Sequence, residues 1–289
     1  MHNNHKKLLG SAMELIFFLC ASISIICIAC VLIILCSKTW DFFNHVSFSQ
    51  FFGDTVWTPL FSSKRFGIWP LVSGSLLISF ISMSTAFPLG ILAAIYLSEF
   101  ARPTFRKIVK PLLEILAGIP TVVYGYFALS IVTPLLGQII NNLSSFNALS
   151  AGLVLGIMLI PTICSLCEDA LFKTPKDLKE ASYALGASKL STIFLVIVPY
   201  AKSSIIAAFF LALSRSLGES VIVSIAAGLK PNLSLNITES MQTMTAYIVQ
   251  VSMGDTPQNS LEYLTIFAVA FFLFLITFIL NLASRRAKK

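Results

Sequence analysis

Charge is what this sequence has least of. Only 11% of its 289 residues are Asp, Glu, Lys or Arg, while 56% are hydrophobic; a soluble domain carries about 25% charged residues. No soluble chain buries so much apolar surface, so the scarcity excludes that class and leaves an integral membrane protein. Several chemical signatures are missing too. No Gly-x-x-x-x-Gly-Lys-Ser/Thr run occurs, so the sequence offers no loop to cradle the phosphates of ATP. There is no His-Glu-x-x-His, and no Asp falls within a predicted span, which argues against an intramembrane metalloprotease or aspartyl protease. No His lies in a span, so Cys164-x-x-Cys167 and Cys27-x-x-Cys30 lack the partners that would complete a metal site. The cysteines read as small, polarizable apolar residues. No cofactor is implied.

Long apolar runs are what is there. Crossing about 30 Å of hydrocarbon takes about 20 residues, and six runs qualify: 13–36, 71–98, 110–137, 149–168, 197–227 and 262–283. Pro88, Pro120 and Pro161 predict kinks or breaks within them. The basic residues are shared unevenly among the connections. With the N-terminus inside, 15 Lys and Arg fall inside, from Lys6 and Lys7 through the Arg102–Lys110 group to Arg285, Arg286, Lys288 and Lys289. Four fall outside (Lys38, Lys64, Arg65 and Lys230), and Arg215 is left within a span. This asymmetry predicts that both termini are cytoplasmic. It makes the net charge of +7 a matter of topology, with membrane lipid and no nucleic acid as the implied partner. The first run has no small-residue cleavage site after it and is expected to be a retained helix.

The connections carry their own patterns. The stretch 37–70 is aromatic-rich ("WDFF", "FSQFFG", "FGIW") and is expected to lie on the membrane surface or pack on helix ends. Within 228–261, "ESMQTMTAYIVQVSMG" is expected to form a helix that dips back towards the bilayer. After the fourth run, "TPKDLKEASYALG" has helix-start chemistry: Thr174 as N-cap, Pro175 at the first position and Asp177 three residues after Thr174. Gly186 ends or bends this helix. Leu178, Ala181, Ser182 and Leu185 share one face, with Lys176, Lys179 and Glu180 on the other. Such a helix lies passively at the interface or docks a soluble partner, and the residue types leave both open.

The same connection resembles a known signature. Glu180-Ala181-Ser182 is followed by three residues, Gly186, nine more, and Val196-Ile197-Val198-Pro199. Bacterial ABC importer permeases have Glu-Ala-Ala, three residues, Gly, nine residues and Ile-x-Leu-Pro; Ser182, Val196 and Val198 depart from it conservatively. In that family the helix docks on the ATP-hydrolysing subunit, so the resemblance assigns ATPase coupling to Glu180, Ala181, Gly186 and Pro199. The stretches "FGIWPLVSGSLLISF", "LLEILAGIPTVVYGYFAL", "SRSLGESVIVSIAAG" and "LEYLTIFAVAFFLFLITFILN" are similar to permeases of phosphate-specific transport systems, the PstC-type more than the PstA-type. Together these cover most of 66–281.

The resemblance implies an all-α polytopic membrane protein with six transmembrane helices and the type I ABC importer permease (MetI-like) fold. Residues 1–65 form an extra N-terminal helix and the first outside loop. Residues 66–289 form the transmembrane domain, with a cytoplasmic coupling loop at 169–199. The implied protein is a bacterial inner-membrane permease subunit of a phosphate importer and not an enzyme. Its implied partners are a PstA-type permease, a PstB-type ATPase dimer and an external PstS-type phosphate-binding protein. An importer for another anion (sulfate, molybdate or a phosphonate) is the nearest alternative. A non-transporting scaffold is the other, and a docking helix disfavours it.

"SRSLGES", 214–220, puts an arginine and a glutamate inside an apolar run. An Arg at a helix centre costs about 2.5–3.5 kcal/mol on insertion scales. Four residues apart on one helix, Arg215 and Glu219 are expected to meet. Ser214 and Ser216 add hydrogen-bonding capacity, and Gly218 is expected to admit a neighbouring helix. The pair either fixes packing or lines the substrate path, with Arg215 facing an anion and Glu219 holding the guanidinium when none is present. The resemblance favours the path. Lys110 and Glu114, one turn apart, are expected to pair at the inside edge of the third span.

Overall fold

The computed structural model describes residues 2–258 and 260–287, with side chains from Met13 to Arg286; Lys288, Lys289 and the side chains of Lys6 and Lys7 lie outside it. A backbone in hydrocarbon must satisfy its own polar groups, and the chain does so with helices. In order they are α1 (His2–His45), α2 (Phe48–Gly53), α3 (Trp69–Ile95), α4 (Pro103–Ala117), α5 (Thr121–Phe127), α6 (Thr133–Gly137), α7 (Ala148–Phe172), α8 (Lys176–Ala184), α9 (Lys189–Thr192), α10 (Val198–Gly218), α11 (Val221–Ala226), α12 (Met244–Met253) and α13 (Leu261–Ala287). Three π-helical turns, Tyr96–Phe100, Ala128–Val132 and Ile193–Ile197, extend α3, join α5 to α6 and join α9 to α10.

Among the described residues five helices are long and apolar enough to cross a membrane: Met13–His45, Trp69–Phe100, Ala148–Phe172, Lys189–Gly218 and Leu261–Arg286. A sixth crossing exists only if the bent pair Pro103–Ala117 and Thr121–Gly137 is taken together. The run 110–137 is broken at Pro120, as that proline predicts. Its halves meet at 84°, around Gly118, Ile119 and Pro120. Pro120 has no N–H to continue the ladder, and its own backbone turns out of the helix there (φ −57°, ψ 136°). Pro88 and Pro161, by contrast, sit inside the continuous α3 and α7.

The centre of the bundle is α3 against α7, with α10 beside both. Small residues set how closely the backbones approach. A Cβ on Gly156 of α7 would sit 2.0 Å from Thr85 Oγ1 and 2.9 Å from the Ser82 carbonyl oxygen on α3. α7 starts on a good cap, Asn147, whose side-chain oxygen accepts from Ser150 N at 2.7 Å. Cys164 and Cys167 are buried in this core.

The aromatic stretch packs on helix ends. Phe42, Phe51, Trp57 and Phe66 are buried in one cluster with Tyr247 of α12 and Val269 of α13. The Trp57 and Tyr247 rings meet edge-on at 5.0 Å. The expected helix within 228–261 is α12. Met244, Thr245, Ala246, Tyr247 and Val251 are its buried residues, and Thr243 caps it by accepting from Ala246 N at 3.1 Å.

Candidate functional site

The expected fifth span, 197–227, is not one helix. α10 stops at Gly218, and Glu219 has extended backbone (φ −69°, ψ 128°). The stop lies level with the middles of α3 and α7. Ser216 shares a hydrogen bond of 2.7 Å with Ser82, in the middle of α3, and Arg215 Nη1 donates to Thr162 Oγ1, near the middle of α7, at 3.2 Å. α11 and α12 then fill the other half of the bundle. A helix that ends at that level exposes polar backbone groups there, an arrangement tolerated where protein or a water-filled path surrounds it.

This break overturns the expected Arg215–Glu219 contact. Among the described residues neither takes part in an ion pair. Glu219 instead caps the next helix: its Oε1 accepts from Val221 N at 3.0 Å and Ile222 N at 3.3 Å. Its carbonyl oxygen accepts from Thr245 Oγ1 at 2.6 Å, which ties the break to α12. Arg215 is exposed on the isolated chain, with the neutral Thr162 hydroxyl as its partner. Gly218 admits no neighbour, since nothing lies within 4 Å of where its Cβ would be. Of the two serines, Ser216 finds Ser82, while the Ser214 hydroxyl is buried without a partner.

Thr162 also borders a cleft of about 240 Å³, which Lys110, Glu114, Ser165 and Glu168 help to line. This is the end of the bundle that carries most Lys and Arg. Here the expected Lys110–Glu114 pair is absent. Lys110 Nζ lies 3.0 Å from Glu168 Oε2 and 3.1 Å from Asp169 Oδ1, and Arg106 joins the same Glu168. Arg106 also stacks over Phe172, 4.2 Å from the ring centroid. The cause is the bend before α5. It lays α4 across α7, so its polar side meets the last turns of that helix while Phe105, Ile108, Leu112 and Ile115 remain exposed.

At the same end, α8 forms as the sequence predicts, with one correction at its start. Pro175 is the N-cap and makes no side-chain cap bond, and the Thr174 hydroxyl is buried without a partner, so no capping box exists. Gly186 ends the helix with φ of +82°. Gly186 N donates to Tyr183 O at 2.9 Å and Ala187 N to Ser182 O at 3.2 Å, which is the Schellman closure. Glu180, Ala181 and Gly186 are exposed; Pro199 stands apart from them in the first turn of α10.

Sequence reasoning misses Thr162, Ser82 and Thr245, which meet "SRSLGES" from other helices, Glu168 and Asp169, which meet Lys110, and Glu99, which meets Lys179 at 2.6 Å. Apart from Thr245, each is a polar residue in or at the edge of an apolar run, and that is the one signal the sequence offers, because all these contacts are remote in sequence.

Residues 86–289 match the model of the binding-protein-dependent transport system inner membrane component. The probable ABC transporter permease protein YqgH of Bacillus subtilis (strain 168) is 34% identical over 242 residues, covering 84% of this chain and 78% of that protein. The phosphate transport system permease protein PstC of Xylella fastidiosa (strain 9a5c) is 31% identical over 255 residues, covering 82% and 77%. A bacterial alginate ABC transporter, solved in complex with its pentasaccharide-bound periplasmic protein, superposes with a TM-score of 0.60 at 18% identity over 94% of this chain and 96% of that one. At such identity the likeness is one of fold, the type I ABC importer permease fold expected from the sequence. Permeases of this family work with ATPase subunits and a periplasmic binding protein and are not themselves catalytic. With the family match spanning most of its length, this multi-pass membrane protein belongs to the binding-protein-dependent transport system inner membrane components, the permeases of bacterial ABC importers.

Proposed function

We propose that this permease is the PstC-type subunit of an ATP-driven inorganic phosphate importer, with Arg215 serving the anion in the translocation path. One observation carries the role of Arg215: an arginine stands level with the middle of the bundle, exposed, with a neutral hydroxyl and, among the described residues, no carboxylate as its partner. An uncompensated guanidinium at that level is expensive. It also offers the planar set of donors that phosphate oxygens accept from. Glu219 contributes by holding the α10–α11 break in shape, through its bonds to Val221 and Ile222. The choice of phosphate draws on relatives such as the Xylella PstC protein.

In this reading the basic end of the bundle faces the cytoplasm, by the excess of Lys and Arg there, and both termini lie on that side. α8, with Glu180, Ala181, the cap at Gly186 and Pro199 beyond it, docks on the ATPase dimer. A PstA-type permease completes the path, and a PstS-type protein delivers phosphate from outside.

The test is uptake of labelled phosphate by the four-component complex in liposomes, with sulfate, molybdate and a phosphonate as competitors. ATP-dependent phosphate uptake that the three competitors leave intact is the expected result. Import of one of them in place of phosphate would move the chain to another anion importer.

A further inference from the structure

α8 has no buried residue, yet in the proposed reading it must pass the ATPase's motion to the path. Its attachments to the rest of the chain are few and specific. Ser182 shares a hydrogen bond with Thr192 of α9 at 2.9 Å, which keeps the connection itself together. Lys179 Nζ reaches out of the connection to Glu99 Oε1 at 2.6 Å, in the π-helical turn that ends α3. The Glu99 side chain is only 7% exposed and also accepts from Ser98 Oγ at 2.9 Å. Next to it, Lys189 of α9 stacks on Phe100, 4.4 Å from the ring centroid.

From Glu99 the route continues through one unbroken helical span, Trp69–Phe100. α3 runs back to Ser82, whose hydroxyl meets Ser216 beside Arg215 at 2.7 Å. The same stretch of α3 is held against α7 with no room for a side chain at Gly156. We propose that the Glu99–Lys179 ion pair is the strut that transmits movement of α8 to α3, and through α3 to the end of α10 where Arg215 stands. Glu99 and Lys179 are positioning residues: neither touches phosphate or ATP. A carboxylate this far from water and held by one cation binds that cation in a fixed place, so α8 cannot shift without pulling α3 or breaking the pair. This inference rests on the reading that α8 docks the ATPase.

The experiment measures ATP hydrolysed and labelled phosphate imported by the reconstituted complex, and takes their ratio. Lys179 is on an exposed helix, and Lys179→Met leaves its packing intact; Glu99→Gln keeps shape and hydrogen bonding. Each single variant is expected to keep the ATPase subunit bound and hydrolysing while phosphate imported per ATP falls by about tenfold. The Glu99→Gln/Lys179→Met double variant is expected to fall no further than either single, because one pair is being broken. Losses that multiply in the double variant, or a wild-type ratio in Lys179→Met, would overturn the strut. Glu180→Arg separates this from the docking reading. It is expected to release the ATPase, and an ATPase that stays bound to it would refute docking. Release in Glu180→Arg with a wild-type ratio in Lys179→Met would refute the strut alone.

Discussion

Glu219 shows how a residue's neighbours change its meaning. Read four positions after Arg215 on an unbroken helix, it is a counter-ion. With the helix ending at Gly218 it has no such partner, and its carboxylate turns to the first N–H groups of α11. The sequence held both residues and their spacing, but the spacing rule applies only where the helix continues. Glu219→Gln keeps an acceptor oxygen in place, so the complex is expected to assemble and melt close to wild type. Glu219→Ala removes the cap at a cost of about 0.5–2 kcal/mol and is expected to lower the melting temperature of the purified complex. Equal melting of the two variants would remove the capping role.

Gly186 is the opposite case: it ends α8 as its place in the sequence predicts, for a reason the structure sharpens. Nothing lies within 4 Å of where its Cβ would be, so a side chain meets no steric obstacle. The constraint is the backbone at φ +82°, a region that costs a residue with a Cβ about 1–2 kcal/mol. Asn tolerates that region and Val does not. Gly186→Asn is therefore expected to retain phosphate uptake, and Gly186→Val to lose it while still inserting in the membrane. Loss in both would point to a close approach by the ATPase at this position.

Among the elements, the apolar runs named the spans well and their breaks poorly. Hydropathy counts residues and carries no direction, so α4 and α5 merged into one run although they meet at 84°. Gly118 and Pro120 were visible, but Pro88 and Pro161 were equally visible in helices that continue past them. What separates the cases is tertiary: α4 has an amphipathic pattern and a buried carboxylate, Glu168, waiting for its basic residues on α7. Glu168 is 1% exposed and joins Arg106 and Lys110, while the Asp169 side chain is 54% exposed. Glu168→Ala is expected to destabilise the complex clearly, though by less than the about 3–5 kcal/mol of a fully enclosed pair, since both cations keep some solvent. Asp169→Ala is expected to cost about 0–1 kcal/mol. Thermal unfolding of the two purified variants checks the order, and a reversal would mean that α4 is held elsewhere.

For the whole molecule, composition gave the class and one connection gave the family, while the site needed the fold. The Glu180–Pro199 spacing was legible because it lies within a single stretch of chain. The setting of Arg215 was not, because Thr162, Ser82 and Thr245 converge on the α10 break from three other helices. The role proposed for Arg215 rests on that convergence. The direct test is labelled-phosphate uptake by the reconstituted complex carrying Arg215→Gln, with co-purification of the ATPase as the check on assembly. Loss of a charged hydrogen-bonding group is expected to cut uptake by about tenfold or more with the complex intact, and Arg215→Lys to fall between, because charge survives while the planar fork is lost. Wild-type uptake by an assembled Arg215→Gln complex would contradict the account and leave Arg215 a packing residue.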